Sequence, residues 1–191
     1  MLLAAIVHPA VRPPRSPRFQ PGLPRGRMPV EEHHMTQPLP LRTEHVFTMD
    51  IAVGAPQMAG KGADGMDLRI VPVTGGTVSG PALQGEILGG TAADWLRVEA
   101  DGTAHIDVRL TIRAAGGGLV YVQYAGLRTG APEVLARLAA GEAVPASDYY
   151  FRVLMRFQTA SPELGWLNRT LAVGVGQRPP SGPRYDIYAV R

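Results

Sequence analysis

The sequence predicts an all-β protein, a single antiparallel up-and-down β-barrel of about eight to nine strands with one short helix. Three observations predict it. From Thr43 onward apolar and polar residues alternate with period two, not 3.6. Turn signals recur at hairpin spacing, with Asp101-Gly102 the strongest. Strands do not alternate with helices, so the rhythm of a parallel sheet is missing. An antiparallel sheet of this size is expected to close, because closure removes unpaired edges.

The segments follow in order. "TEHVFTMDIAVG" is the first strand, and the glycine-rich "GKGADG" follows as a turn. "MDLRIVPV", a turn at "TGG", and "TVSGPALQGEIL" come next. In "GGTAADW", Gly89 and Gly90 read as a bend and Asp94-Trp95 as the start of another strand, one residue on each face. "HIDVRLTIR" turns at "AAGGG" into "LVYVQYAG". "APEVLARLAAGE" is the one helix, with Pro132 at its first position, Glu133 in its first turn and Gly141 as its stop. "YYFRVLMRFQTA", "WLNRTLAVGVG" and "YDIYAVR" complete the strands. Glycines at Gly80, Gly85, Gly174 and Gly176 suit the bends and bulges of a closing sheet.

Two strands separate their faces cleanly. Ile106, Val108, Leu110 and Ile112 oppose His105, Asp107, Arg109, Thr111 and Arg113. Tyr149, Phe151, Val153, Met155 and Phe157 oppose Tyr150, Arg152, Leu154, Arg156 and Gln158. The plain reading puts the apolar faces in the core and the charged faces in water. The alternative is a partly polar lumen, with Arg109 and Arg152 buried beside Asp107 or Asp94 and the apolar outer face covered by the helix or a second subunit.

Composition excludes several function classes. The net charge of +3 comes entirely from residues 1–34, whose five arginines outnumber two glutamates, so the remainder has no basic signature for nucleic acid. Residues 1–34 are Pro/Arg-rich, read as a disordered tail with an over-extended start as the companion reading; the barrel domain is expected over 35–191. His33 and His34 then belong to a solvated tail. The run Met1–Val7 is too short to span a bilayer and has no preceding positive charge, so neither a membrane partner nor a secretory signal is expected. The absence of cysteine excludes disulfides and thiolate chemistry and suits a cytoplasmic location. Outside the tail only His45 and His105 remain as imidazoles, without ligand spacing, so no metal is expected. Neither a phosphate loop, a dinucleotide fingerprint nor a Gly-x-Ser-x-Gly elbow is present, so no cofactor is expected.

The runs "GPALQGEILGGTAADW", "DGTAHIDVRLTIRAAGGGLVYVQYAG" and "YYFRVLMRFQTASPELGWLNRTLAVGVG" together resemble the bacterial and fungal family catalogued as domain of unknown function 3237. The pattern falls on Gly80, Pro81, Leu83, Gly85, Gly89, Gly90, Asp94, Trp95, Asp101, Gly102, Asp107, Arg109, Tyr150, Arg152, Phe157, Thr159, Trp166, Leu167 and Asn168. The likeness covers residues 43–191 and implies a small β-barrel, often oligomeric, so a homo-oligomer is expected. It implies no settled activity. One departure stands out: "GGTAADW" holds an extra residue or two between Gly-Gly and Asp-Trp, which decides whether Asp94 or Trp95 faces the lumen.

The candidate site follows from residue chemistry. Asp94, Asp107, Arg109 and Arg152 are the candidate catalytic residues. A carboxylate against an apolar wall makes a general base, and arginine binds an oxyanion or stabilises charge at a carbonyl oxygen. Trp95, Tyr150, Trp166 and Asn168 are the candidate substrate-binding residues, as flat walls and orienting hydrogen-bond groups. If they converge, they suit cofactor-independent acid–base chemistry, of lyase or isomerase type, next to a carbonyl of a small compound, aromatic ones included. The rivals are a non-catalytic carrier barrel, expected to have a largely apolar cavity with one polar anchor, and a structural oligomer with a filled lumen.

Overall fold

The computed structural model describes residues 38–191. Leu39–Arg191 forms one compact unit. The tail expected over 1–34, with His33 and His34, lies outside the described residues.

Nine strands form one antiparallel sheet: β1 (Thr43–Val53), β2 (Gln57–Lys61), β3 (Asp67–Ser79), β4 (Gly85–Val98), β5 (Ala104–Ala114), β6 (Leu119–Gly130), β7 (Tyr149–Thr159), β8 (Ala172–Gln177) and β9 (Arg184–Val190). From β3 to β9 each strand pairs with the next, and β1 pairs with both β9 and β3. Eight strands therefore close into a barrel, and the extra strand, β2, pairs only with the start of β3. Closure leaves the eight wall strands without a free edge.

The alternation read from the sequence sets the core. Ile106, Val108, Leu110 and Ile112 of β5 are buried, as are Tyr149, Phe151, Val153, Met155 and Phe157 of β7. The plain reading of the faces holds for both strands: apolar side chains fill the interior and Arg109 and Arg152 point away from it. One end of the barrel is packed shut. There Phe47 meets Phe157 edge to face at 6.1 Å, and Leu167 is buried from a 3₁₀ segment, Pro162–Arg169.

The helix α1 (Pro132–Ala139) starts with Pro132, as its sequence signal requires, and spans eight residues. It buries Leu135 and Leu138. Leu135 lies over Gly102 in the β4–β5 turn, so the helix covers the other end of the barrel.

Three local expectations need correction. "TGG" is no turn: Thr74–Gly76 run inside the continuous strand β3. Trp166 and Asn168 sit in the 3₁₀ segment, not in a strand, because Pro162 opens a helical turn and backbone bonds from Leu164 to Ser161 and from Thr170 to Leu167 hold it to the start of β8. Gly60 and Lys61 of "GKGADG" belong to β2.

The fourth difference orients the site. β4 runs unbroken through Gly89 and Gly90, but it is longer than its neighbours there. Leu88 pairs with Thr111 and Ala93 with Arg109, so five steps along β4 face two along β5, a surplus of three residues. An odd surplus exchanges the faces of everything beyond it. Ile87 points inward before the bulge; after it the even positions do, and Asp94 lies opposite Val108. Gly90 lies within the surplus at φ +94°, a conformation that side chains other than glycine rarely adopt.

Candidate functional site: a polar cavity under the helix

Beneath α1 the barrel is not filled. A cavity of about 260 Å³ remains, walled by apolar side chains including Val71, Leu96, Ile106, Val108 and Phe151 and roofed by Leu138 and Ala139 of α1. Among these apolar groups lie Asp94, Tyr124, Tyr185, Arg128, Arg178 and Arg69.

The strand register explains their meeting. Asp94 on β4, Val108 on β5 and Tyr124 on β6 are cross-strand partners in one row. Arg128 lies two inward positions beyond Tyr124 on the same strand, and Gly126, between them, lets the backbone of β7 approach closely. Tyr185 enters from β9 beside Gly176 of β8. A Cβ on Gly176 would come within 2.5 Å of the Phe151 ring, so glycine here makes room for the aromatic wall. Tyr185 packs edge to face against both Tyr124, at 5.4 Å, and Phe151, at 5.1 Å. Arg178 extends the inward row Ala172, Gly174, Gly176 just past the end of β8.

The electrostatics follow from burial. Asp94 accepts one hydrogen bond, from the Asp107 backbone N–H to Oδ1 at 3.1 Å. Desolvation by the apolar wall pushes its carboxyl from the ordinary 3.8 up to about 6, against the opposing pull of the Asp107 amide and of the Arg128 charge. Tyr124 and Tyr185 are each only 2% exposed. Burial, with the Asp94 charge contributing, raises both phenols above their usual range, so both stay protonated and able to donate. Burial first, and the like charge of Arg178 second, hold the Arg128 guanidinium below its usual value. Its plane lies over the Phe151 ring at 5.9 Å, and its Nε is buried with no hydrogen-bond partner. Arg69 is already engaged by Asp67 at 2.8 Å.

Of the eight residues singled out from sequence, the structure brings only Asp94 into this cavity. Trp95 points outward, where the Arg109 guanidinium lies 5.4 Å above its ring. Arg109 also pairs with Asp107 at 3.1 Å, and both side chains are about 40% exposed. Arg152 lies 5.3 Å over the exposed Tyr150 ring on the outer face of β7. Trp166 packs beneath Arg191 at the filled end of the barrel. Asn168 clamps the end of β7, accepting from the Thr159 N–H at 2.8 Å and donating to its carbonyl at 2.9 Å. The side chains of these seven therefore make wall and loop contacts outside the cavity, and only the Asp107 backbone N–H reaches Asp94.

Tyr124, Arg128, Tyr185 and Arg178 were missed by motif reading. Their signal was parity: in "LVYVQYAGLR" the inward row Val120, Val122, Tyr124 continues through Gly126 to Arg128.

Fold and cavity together define a small closed β-barrel, filled at one end and hollow and polar at the other. By its sequence, the chain belongs to the family described as protein of unknown function (DUF3237), whose model matches residues 41–190. It is 32% identical over 150 residues to a UPF0311 protein of Rhodopseudomonas palustris, covering 78% of this chain and 97% of that one. A UPF0311 protein of Clostridium acetobutylicum is 30% identical over 147 residues, 77% and 92% of the two chains. Among solved structures, a β-barrel-like protein of Acinetobacter baumannii superposes with a TM-score of 0.70 at 38% identity, covering 81% of this chain and 98% of that one. An R. palustris protein of unknown function gives 0.75 at 30% identity, covering 81% and 99%. A protein of Penicillium herquei described as an enzyme gives 0.62 at 20% identity, covering 82% and 98%; at that distance the likeness is one of fold.

Proposed function

We propose that this barrel is a cofactor-independent enzyme that moves protons next to a carbonyl group of a small organic molecule, in a lyase or isomerase reaction. The observation that carries the reading is Asp94, a carboxyl with its pKa raised to about 6, set in a cavity beside two buried phenols. A base poised near neutral pH serves equally as acceptor and, once protonated, as donor. Asp94 removes a proton from the carbon next to the carbonyl. The electron pair moves onto the carbonyl oxygen, where the Tyr124 and Tyr185 hydroxyls stabilise it by hydrogen bonding. Collapse of that enolate either takes the proton back from Asp94 at another carbon, giving an isomer, or expels a leaving group from the β-carbon.

A carrier barrel is supported less well, because an apolar cavity with one polar anchor suffices for it and here a carboxylate, two phenols and three arginines share the space. The cavity itself speaks against a lumen filled for structural reasons. The test is exchange of α-protons into D₂O, followed by NMR over a panel of small carbonyl compounds. Exchange by the wild type that falls at least about 100-fold in Asp94→Asn supports the proposal. Equal exchange by the two proteins, or none over the panel, contradicts it.

A further inference from the structure

The cavity holds more positive charge than its own residues neutralise. Arg128 and Arg178 both face it, and neither forms an ion pair among the described residues; the arginine ion pairs present use Arg69, Arg109, Arg113, Arg137, Arg184 and Arg191. Arg178 has one side-chain hydrogen bond, from Nη1 to the Pro179 carbonyl at 2.8 Å, and its backbone N–H donates to the Tyr149 hydroxyl at 2.8 Å. Arg128 has only the Phe151 ring, and its Nε is an orphaned buried donor. A buried donor without a partner is destabilising and rare, and two guanidinium groups that share a cavity without an ion pair repel. Asp94 is the one carboxylate in the cavity lining. It accepts no hydrogen bond from either arginine, and one carboxylate against these two guanidinium groups leaves one cationic site uncompensated.

We infer that Arg128 and Arg178 form an anion subsite that receives the oxyanion, carboxylate or phenolate, of a small organic acid. The inference rests on the reading of this cavity as the site, and it narrows the substrate class from any small carbonyl compound to an acidic one. Guanidinium groups recognise such oxygens through paired charge-assisted hydrogen bonds, and Arg128 Nε would gain the acceptor it lacks. The cavity of about 260 Å³ lies just below the range usual for drug-sized ligands, so the acid is small.

The test is calorimetric titration of the full chain with benzoate and with its neutral isostere benzamide, and with 4-nitrophenol below and above its own ionisation. Benzoate, 4-nitrophenolate or both are expected to bind at least about tenfold tighter than their neutral counterparts. Arg128→Gln and Arg178→Gln should each remove that preference, and Arg109→Gln, on the outer wall, should keep it. If Arg128→Gln does not fold, Arg178→Gln carries the test. Equal affinity for anion and neutral form, no binding of either anion, or a preference lost equally in Arg109→Gln overturns the inference. The failures are separable: anion preference without proton exchange leaves the subsite and removes the catalytic reading, and proton exchange on neutral compounds as fast as on acids does the reverse.

Discussion

The inner and outer walls of this barrel carry the same kinds of residue and use them differently. Outside, Asp107 and Arg109 lie side by side on β5, with Trp95 under the guanidinium. Inside, Asp94 and Arg128 face a cavity with Phe151 under the guanidinium. The outer pair is in water, where such a pair is worth about 0–1 kcal/mol and is screened by salt. The inner carboxylate is desolvated and its pKa stands at about 6, and the inner arginine keeps an unsatisfied nitrogen. Residue type and spacing therefore do not decide which carboxylate and which arginine face the cavity; the side of the sheet does. That side is set by three surplus residues in β4.

The two walls exchange residues most completely if the surplus in β4 is changed. Deleting Gly90 leaves an even surplus, which turns Trp95 toward the lumen and Asp94 into water. We expect loss of at least about 3 kcal/mol of stability or failure to fold, because an indole then overpacks the cavity wall. Chemical denaturation and circular dichroism check it, and a stable deletion variant with wild-type activity would refute the role of the bulge.

Next in size is the effect of the phenols on activity. Tyr124→Phe should cut proton exchange by about 10- to 100-fold, whereas Tyr121→Phe, on the outer face of the same strand, should leave it unchanged. Comparable rates in both variants would remove the cavity from the chemistry.

A smaller effect concerns stability and pH. The Asp94 carboxyl is raised in the folded chain, so the folded state binds a proton more tightly than the unfolded one between about pH 4 and 6. Stability contributed by this group is therefore present at low pH and lost as pH rises through about 6. Asp94→Asn should accordingly be more stable than wild type at pH 8, by about 1–2 kcal/mol given partial exposure, with the difference vanishing near pH 4. Thermal melts across that range measure it; a variant less stable than wild type at pH 8 contradicts the burial argument. The smallest effect belongs to the outer wall: Arg109→Ala should cost under about 1 kcal/mol and leave exchange untouched, read by the same melts and assays.

Much of the architecture was legible in the alternation. Ile106 to Ile112 and Tyr149 to Phe157 announce their inner faces, and Pro132 announces the helix, because period and capping are local properties. Asp94 was legible only as one of two options. The surplus in β4 is counted against β5, and no single strand contains that information. Arg128 and Arg178 were legible in principle, since each continues an inward row, but an arginine on an otherwise apolar face reads as the end of the strand. Asp107, Arg109, Arg152 and Tyr150 drew attention because their types suit chemistry, although their own strands place them on the polar face.

The most direct test of the difference between the two walls is the titration of the Asp94 carboxyl by carbon-detected NMR, assigned with Asp94→Asn. A midpoint near 6 is expected in the wild type, moving higher in Arg128→Gln as the neighbouring positive charge is removed. A midpoint close to the ordinary 3.8, unmoved by Arg128→Gln, would contradict the account.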